Sequence, residues 1–166
     1  GVILGNGWYN HQSTAVWYFD KAPWRARPKF CMNIKITYED GTSETLATGA
    51  DWKTSLSPVV FNSIYTAEHY DARNEQPGWN KPDFDDSKWI HAQLVAAPAG
   101  KLTSQLNEPI RVTGHIKPVS VKQIKPGVFI FDMGQNMVGW ASLTVKGTKG
   151  DKITMRFSEI LDDDGS

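Results

Sequence analysis

Phe30-Cys-Met-Asn-Ile-Lys-Ile-Thr-Tyr38, followed at once by Glu39-Asp40-Gly41, is the stretch that decides the fold. Ile34, Ile36 and Tyr38 fall on one side of an extended chain, and Lys35 and Thr37 fall on the other. This period of two belongs to a strand with one face toward a core. Glu-Asp-Gly is a hairpin-type turn, because its glycine tolerates the backbone that a tight reversal needs. Thr45 to Thr48 then reads as the returning strand. Working outward, Val59–Tyr65, Val128–Phe131, Trp140–Val145 and Lys152–Phe157 carry the same signature, and Gly147-Thr-Lys-Gly150 joins the last two. Short strands at regular spacing between Gly, Asp and Asn turns predict a sandwich or barrel.

Helix signals are sparse. The 14 glycines and nine prolines punctuate the chain too often for long helices. Asp85 or Asp86 is placed to cap a single turn before Trp89. Residues 67–75 have helical propensity, but Pro77-Gly78 follows at once, so a loop is expected there. A composition change across residues 97–109, with prolines at 98 and 109, marks a module boundary before Ile110-Arg-Val112.

The 166 residues suffice for one domain or two small ones. Eighteen basic and 18 acidic side chains cancel, which argues against a nucleic-acid or acidic-membrane partner, since either requires a basic excess. No apolar run approaches the roughly 20 residues of a membrane span. The single cysteine, Cys31, excludes an intramolecular disulfide and is expected to be a small buried apolar residue. Val2-Ile3-Leu4 reads as a core strand with no partner before it, and Glu159-Ile-Leu161 runs into a turn with no return. Both features predict a fragment of a longer protein. The unpaired edges of such a fragment predict a homodimer or strand-swapped assembly, or else a compact rearranged sandwich.

The search for catalytic chemistry is mostly negative. His11, His69, His91 and His115 are dispersed, with no spacing that sets two metal ligands on one face. No nucleophile elbow or phosphate-binding loop occurs. Glu68 and Asp71 form the one carboxylate pair worth testing for glycoside hydrolysis. The competing reading is that Asp71 and Arg73 make polar contacts that fix an irregular loop. Asp83, Asp85 and Asp86, and Asp162-Asp-Asp-Gly165, offer oxygen ligands to calcium, but neither follows an EF-hand pattern. Trp8-Tyr9, Trp17-Tyr18-Phe19 and Trp24 lie among Asn6, Asn10, His11 and Gln12. Flat rings beside amides suit a sugar, since the rings pack on its C–H face and the amides read its hydroxyls. Most of these rings are expected in the core of a sandwich.

Six segments occur in order: Leu4-Gly-Asn-Gly-Trp-Tyr9, Ile64-Tyr-Thr-Ala-Glu-His-Tyr-Asp-Ala-Arg73, Pro77-Gly-Trp79, Asp83-Phe-Asp-Asp-Ser-Lys-Trp89, Phe131-Asp-Met-Gly-Gln-Asn-Met-Val-Gly-Trp140 and Glu159-Ile-Leu-Asp-Asp-Asp-Gly165. Together they resemble the non-catalytic β-sandwich region of bacterial α-L-rhamnosidases of glycoside hydrolase family 78. The resemblance implies an all-β, antiparallel β-sandwich of jelly-roll or galactose-binding-like type, cut short at both ends. It divides the chain into residues 1–105, the later part of the first sandwich, and residues 106–166, the opening strands of a concanavalin-like sandwich. It further implies a parent enzyme that hydrolyses terminal α-L-rhamnosides with inversion. The catalytic carboxylates belong to a downstream barrel that no residue here matches. The implied role is support for that barrel, with the rest of the parent chain as partner and a periplasmic or secreted location. The alternative is a calcium-dependent module for rhamnose-containing glycans, with Trp8, Tyr9 and Asn6 as the sugar contacts.

Overall fold

The computed structural model describes residues 1–14, 17–97, 100–101, 103 and 105–162. Eight strands form four two-stranded ladders, all antiparallel, and no α-helix occurs among the described residues. The chain divides into two compact units, Gly1–Leu102 and Thr103–Ser166. The first holds three ladders and the second holds one.

The deciding stretch becomes β1 (Asn33–Thr37), paired with β2 (Ser43–Ala47) in the register Asn33↔Ala47 to Thr37↔Ser43. The turn between them closes through the Tyr38 N–H on the Thr42 carbonyl at 2.9 Å and the Gly41 N–H on the Tyr38 carbonyl at 3.0 Å. Asp40 accepts from both the backbone N–H and the hydroxyl of Thr42, at 2.9 and 2.6 Å, which completes an Asx-type turn. These bonds hold the Asp40 carboxyl below the usual carboxylate range.

β3 (Lys53–Thr54) pairs with β6 (Ile90–His91) and so joins positions almost forty residues apart in the chain. The Lys53 ammonium donates to Asp86 at 2.7 Å beside that pair. Asp85 accepts from the Ser87 N–H at 3.0 Å, and the Trp89 N–H reaches the Asp86 carbonyl at 2.9 Å. The acidic pair therefore shapes one turn and no helix. β4 (Val59–Ser63) pairs with β5 (Ala67–Tyr70) across a bulge between Val59 and Phe61. In the second unit β7 (Ser120–Lys125) pairs with β8 (Val128–Asp132) around Gly127, whose φ is 76°.

Several expectations are corrected. Residues 67–75 are not a loop: four of them form β5, and Ala72–Asn74 form a turn of 3₁₀ helix with Asp71 as its cap. Their polar composition hid a strand whose partner, β4, supplies the apolar residues. Val2–Leu4, Trp140–Val145 and Lys152–Phe157 are not strands. Alternation marks which side chains seek burial, but a strand also needs a neighbour to take its backbone hydrogen bonds. None of these segments has one among the described residues. Cys31 is exposed rather than buried; it lies two residues before β1, four of whose five residues are themselves exposed.

No hydrophobic side chain among the described residues is fully buried. The buried residues are instead Asn10, His11 and Ser13. They lie together in the segment that carries the sequence-predicted sugar contacts.

Candidate carbohydrate-contact region

Gly5 to His11 forms a tight turn seated on the end of β4. Gly7 adopts φ 50°, and the Asn10 N–H reaches back to the Asn6 carbonyl at 3.0 Å. Asn6 and Asn62 clasp each other. The Asn6 N–H donates to the Asn62 side-chain oxygen at 2.9 Å, and the Asn6 amide donates to the Asn62 carbonyl at 3.0 Å. The Asn10 amide then donates to the Asn6 side-chain oxygen at 2.7 Å. Both polar ends of the Asn6 side chain are thus engaged within the fold.

This clasp sends neighbouring side chains to different places. The Trp8 ring stands edge-on to Phe19 and to Tyr65, with centroids 5.6 Å away in both cases, and is tilted against His11 at 5.8 Å. His11 also lies 5.4 Å from Tyr65 and 6.0 Å from Phe19. Edge-to-face pairs at such separations match the positive rim of one ring to the negative face of another, for about 0.5–1.5 kcal/mol each. Phe19 extends the cluster to Trp17 at 5.6 Å and Trp24 at 6.0 Å. Trp17 and Tyr18 both have left-handed backbone, at φ 50° and 55°, a conformation unfavourable for bulky residues. Trp8 stays 51% exposed despite its three neighbours.

His11 is 1% exposed, and its Nδ1 accepts the Ser13 N–H at 3.1 Å. That bond assigns the ring proton of the neutral imidazole to Nε2. Nε2 is buried with no hydrogen-bond partner among the described residues, as are Asp20 Oδ1 and Ser63 Oγ.

Tyr9 leaves the turn on another course and makes no ring contact among the described residues. With Leu4, Gly5, Asn6, Pro28 and Lys29 it lines an open hollow of about 400 Å³. The Tyr9 carbonyl accepts the Ala26 N–H at 3.3 Å, which ties the turn to the segment that supplies Pro28 and Lys29. The three residues predicted to share a sugar site are therefore divided: Trp8 in the ring cluster, Tyr9 at the hollow, and Asn6 as the clasp that also lines the hollow. Sequence reasoning did not single out Asn62 or Lys29. The tandem amides at Asn6 and Asn10 were a usable signal for a clasp, but their partner is 56 positions away for Asn6.

At the end of β5, Asp71 and Arg73 face each other. The guanidinium gives one hydrogen bond to each carboxylate oxygen, at 2.8 and 2.6 Å, and the Arg73 N–H adds a third at 3.0 Å. These bonds, the Arg73 side chain foremost, lower the Asp71 carboxyl to about 2. Such a carboxylate holds no proton to give at neutral pH. Glu68, opposite Asn62 in the ladder, is exposed. The Tyr70 hydroxyl donates to Glu75, which raises the phenol above its usual range. Trp89 donates through its indole to Gln76 at 2.7 Å, and Gln76 donates to Ser55 at 3.1 Å. This end of the ladder is a web of local polar contacts.

Among the described residues no group of three or more His, Cys, Asp and Glu side chains is placed to hold a metal. The oxygens of Asp85 and Asp86 are turned to Ser87 and Lys53. Asp163 and Asp164 lie outside the described residues. No helix of the structure is long and apolar enough to cross a membrane.

Residues 1–114 match the family model of the α-L-rhamnosidase N-terminal domain. The chain belongs to that family. Residues 122–166 match a second model, the bacterial α-L-rhamnosidase concanavalin-like domain. An α-L-rhamnosidase of Streptomyces avermitilis is 35% identical over 166 residues, which is 99% of this chain and 16% of the relative. One of Alteromonas sp. (strain LOR) is 36% identical over 163 residues, 97% of this chain and 17% of the relative. The chain thus spans under a fifth of the length of these α-L-rhamnosidases. Two solved structures align on 64% of the chain with a TM-score of 0.59 each. One is an α-L-rhamnosidase from Dictyoglumus thermophilum, 43% identical, of which 12% is covered. The other is the Streptomyces avermitilis α-L-rhamnosidase complexed with L-rhamnose, 35% identical, of which 10% is covered. The all-β, antiparallel fold class expected from the sequence holds against both the ladders and these alignments.

Proposed function

We propose that the chain is a non-catalytic accessory region of a longer α-L-rhamnosidase, which hydrolyses terminal α-L-rhamnosides with inversion, and that it supports the catalytic domain. On this reading residues 1–105 close the first sandwich and residues 106–166 open the next. The observation that carries it is the double grip of Arg73 on Asp71 within a family of rhamnosidases. One member of the Glu68 and Asp71 pair is spent on an ion pair, and an inverting enzyme needs both an acid and a base. The test is turnover of p-nitrophenyl α-L-rhamnoside by the full-length protein bearing Glu68→Gln and, separately, Asp71→Asn. Both variants are expected within about threefold of the parent. A fall of a hundredfold or more in either, typical of a lost acid or base, contradicts the reading.

A second reading is carbohydrate contact by the same region. It is favoured by the half-exposed Trp8, by the hollow beside Tyr9, and by the L-rhamnose bound in the Streptomyces avermitilis relative.

A further inference from the structure

We propose that His11 is an acid-sensitive latch, which holds the turn at residues 5–11 against Phe19 and Tyr65 while neutral and loosens it on protonation. His11 is 1% exposed, whereas no described hydrophobic side chain is buried. Its ring meets three others from three parts of the chain: Trp8 in its own turn at 5.8 Å, Phe19 in the 3₁₀ turn Phe19–Lys21 at 6.0 Å, and Tyr65 between β4 and β5 at 5.4 Å. Trp8 meets the same two rings but is itself half-exposed, so His11 is the buried anchor of the contact.

The hydrogen bonding of the imidazole suits only its neutral form. Nδ1 spends its lone pair on the Ser13 N–H at 3.1 Å. A proton taken up by the ring goes to that same nitrogen, so two N–H groups then face each other and the bond to Ser13 breaks. Nε2–H, buried with no partner, gives the added charge no acceptor. The titratable and charged groups on the elements packed against the ring are Tyr9 on its own turn, Asp20 and Lys21 after Phe19, and Tyr65, with Glu68 and His69 farther along β5. None of them hydrogen-bonds or ion-pairs with His11 among the described residues. The faces of Trp8 and Tyr65 attract a cation, but they do not replace the water that a buried charge gives up. The latched form thus holds the neutral ring and the loosened form takes up the proton, so acid favours loosening. Imidazole is the side chain that changes charge between pH 5 and 8, which sets the window.

The experiment is amide hydrogen exchange of the full-length protein from pH 7.5 to 5.0, with rates corrected for the intrinsic pH dependence of exchange. Peptides across 5–14, 17–24 and 59–66 are expected to exchange at least fivefold faster at pH 5.0, while the β1–β2 hairpin, 33–47, stays within twofold. Exchange of the His11 ring C2–H, read by mass spectrometry in the 5–14 peptide, follows protonation of that ring directly, and its midpoint is expected to coincide with the midpoint of loosening. His11→Gln, which takes up no proton in this range, is expected to remove the pH dependence. No acceleration in the parent, acceleration shared by the β1–β2 hairpin, two midpoints that differ, or acceleration that survives His11→Gln overturns the proposal. Acceleration that survives His11→Gln but disappears in Asp20→Asn assigns the response to that carboxylate instead.

Discussion

Asp71 shows how one short-range pairing decides what a carboxylate is able to do. Its partner is two residues away, so the ion pair forms wherever the 3₁₀ turn forms. Because the carboxyl is lowered to about 2 from 3.8, the pairing is in place above about pH 4 and is lost as pH falls through about 2. Arg73 is mostly solvent-exposed, so the pair adds little to global stability. Carboxyl-carbon NMR of Asp71 is expected to titrate near 2, and Arg73→Gln to return it toward the ordinary value. A midpoint near 4 in the parent contradicts the bidentate geometry. This contact was legible in the sequence because Tyr-Asp-Ala-Arg keeps acid and base within one turn. The Asn6–Asn62 clasp was not, since amides carry no periodic signal and their partner is chosen by the return of a distant strand.

Two glycines, one in the β1–β2 turn and one just past β8, separate what a residue contributes by backbone from what it contributes by space. Gly41 has φ 84° and nothing within 4 Å of where a Cβ would stand, whereas Gly134 has φ 73° with Val119 Cγ1 only 2.8 Å from that point. Gly41→Ala is expected to cost roughly 1–2 kcal/mol, the penalty for an L-residue in left-handed backbone. Gly134→Ala adds a steric clash and is expected to cost more. Urea denaturation of the full-length variants, followed by tryptophan fluorescence, reads the order, and equal losses contradict it. β1, β2, β4 and β8 were readable from their own apolar or β-branched runs, whereas β7 was not singled out although only two residues separate it from β8. β3 and β6 join distant two-residue segments, too short to carry a pattern. β5 was missed because Ala67-Glu-His-Tyr70 has no apolar alternation of its own, and its place is set by pairing with β4.

Trp17, Ile90 and Phe157 are each more than 70% exposed, and no described hydrophobic residue is buried. At about 25 cal/mol per Å², apolar surface on this scale drives association. In the proposed accessory role, the remainder of the rhamnosidase supplies that cover. The isolated 166 residues are therefore expected to bind the dye ANS strongly and to self-associate on sedimentation, while the full-length protein does neither. The most direct measurement is amide hydrogen exchange of β4 and β5 in the isolated chain and in the full-length enzyme under one set of conditions. An accessory region completed by its enzyme predicts exchange at least tenfold slower in the full-length protein. Equal rates in the two contradict it.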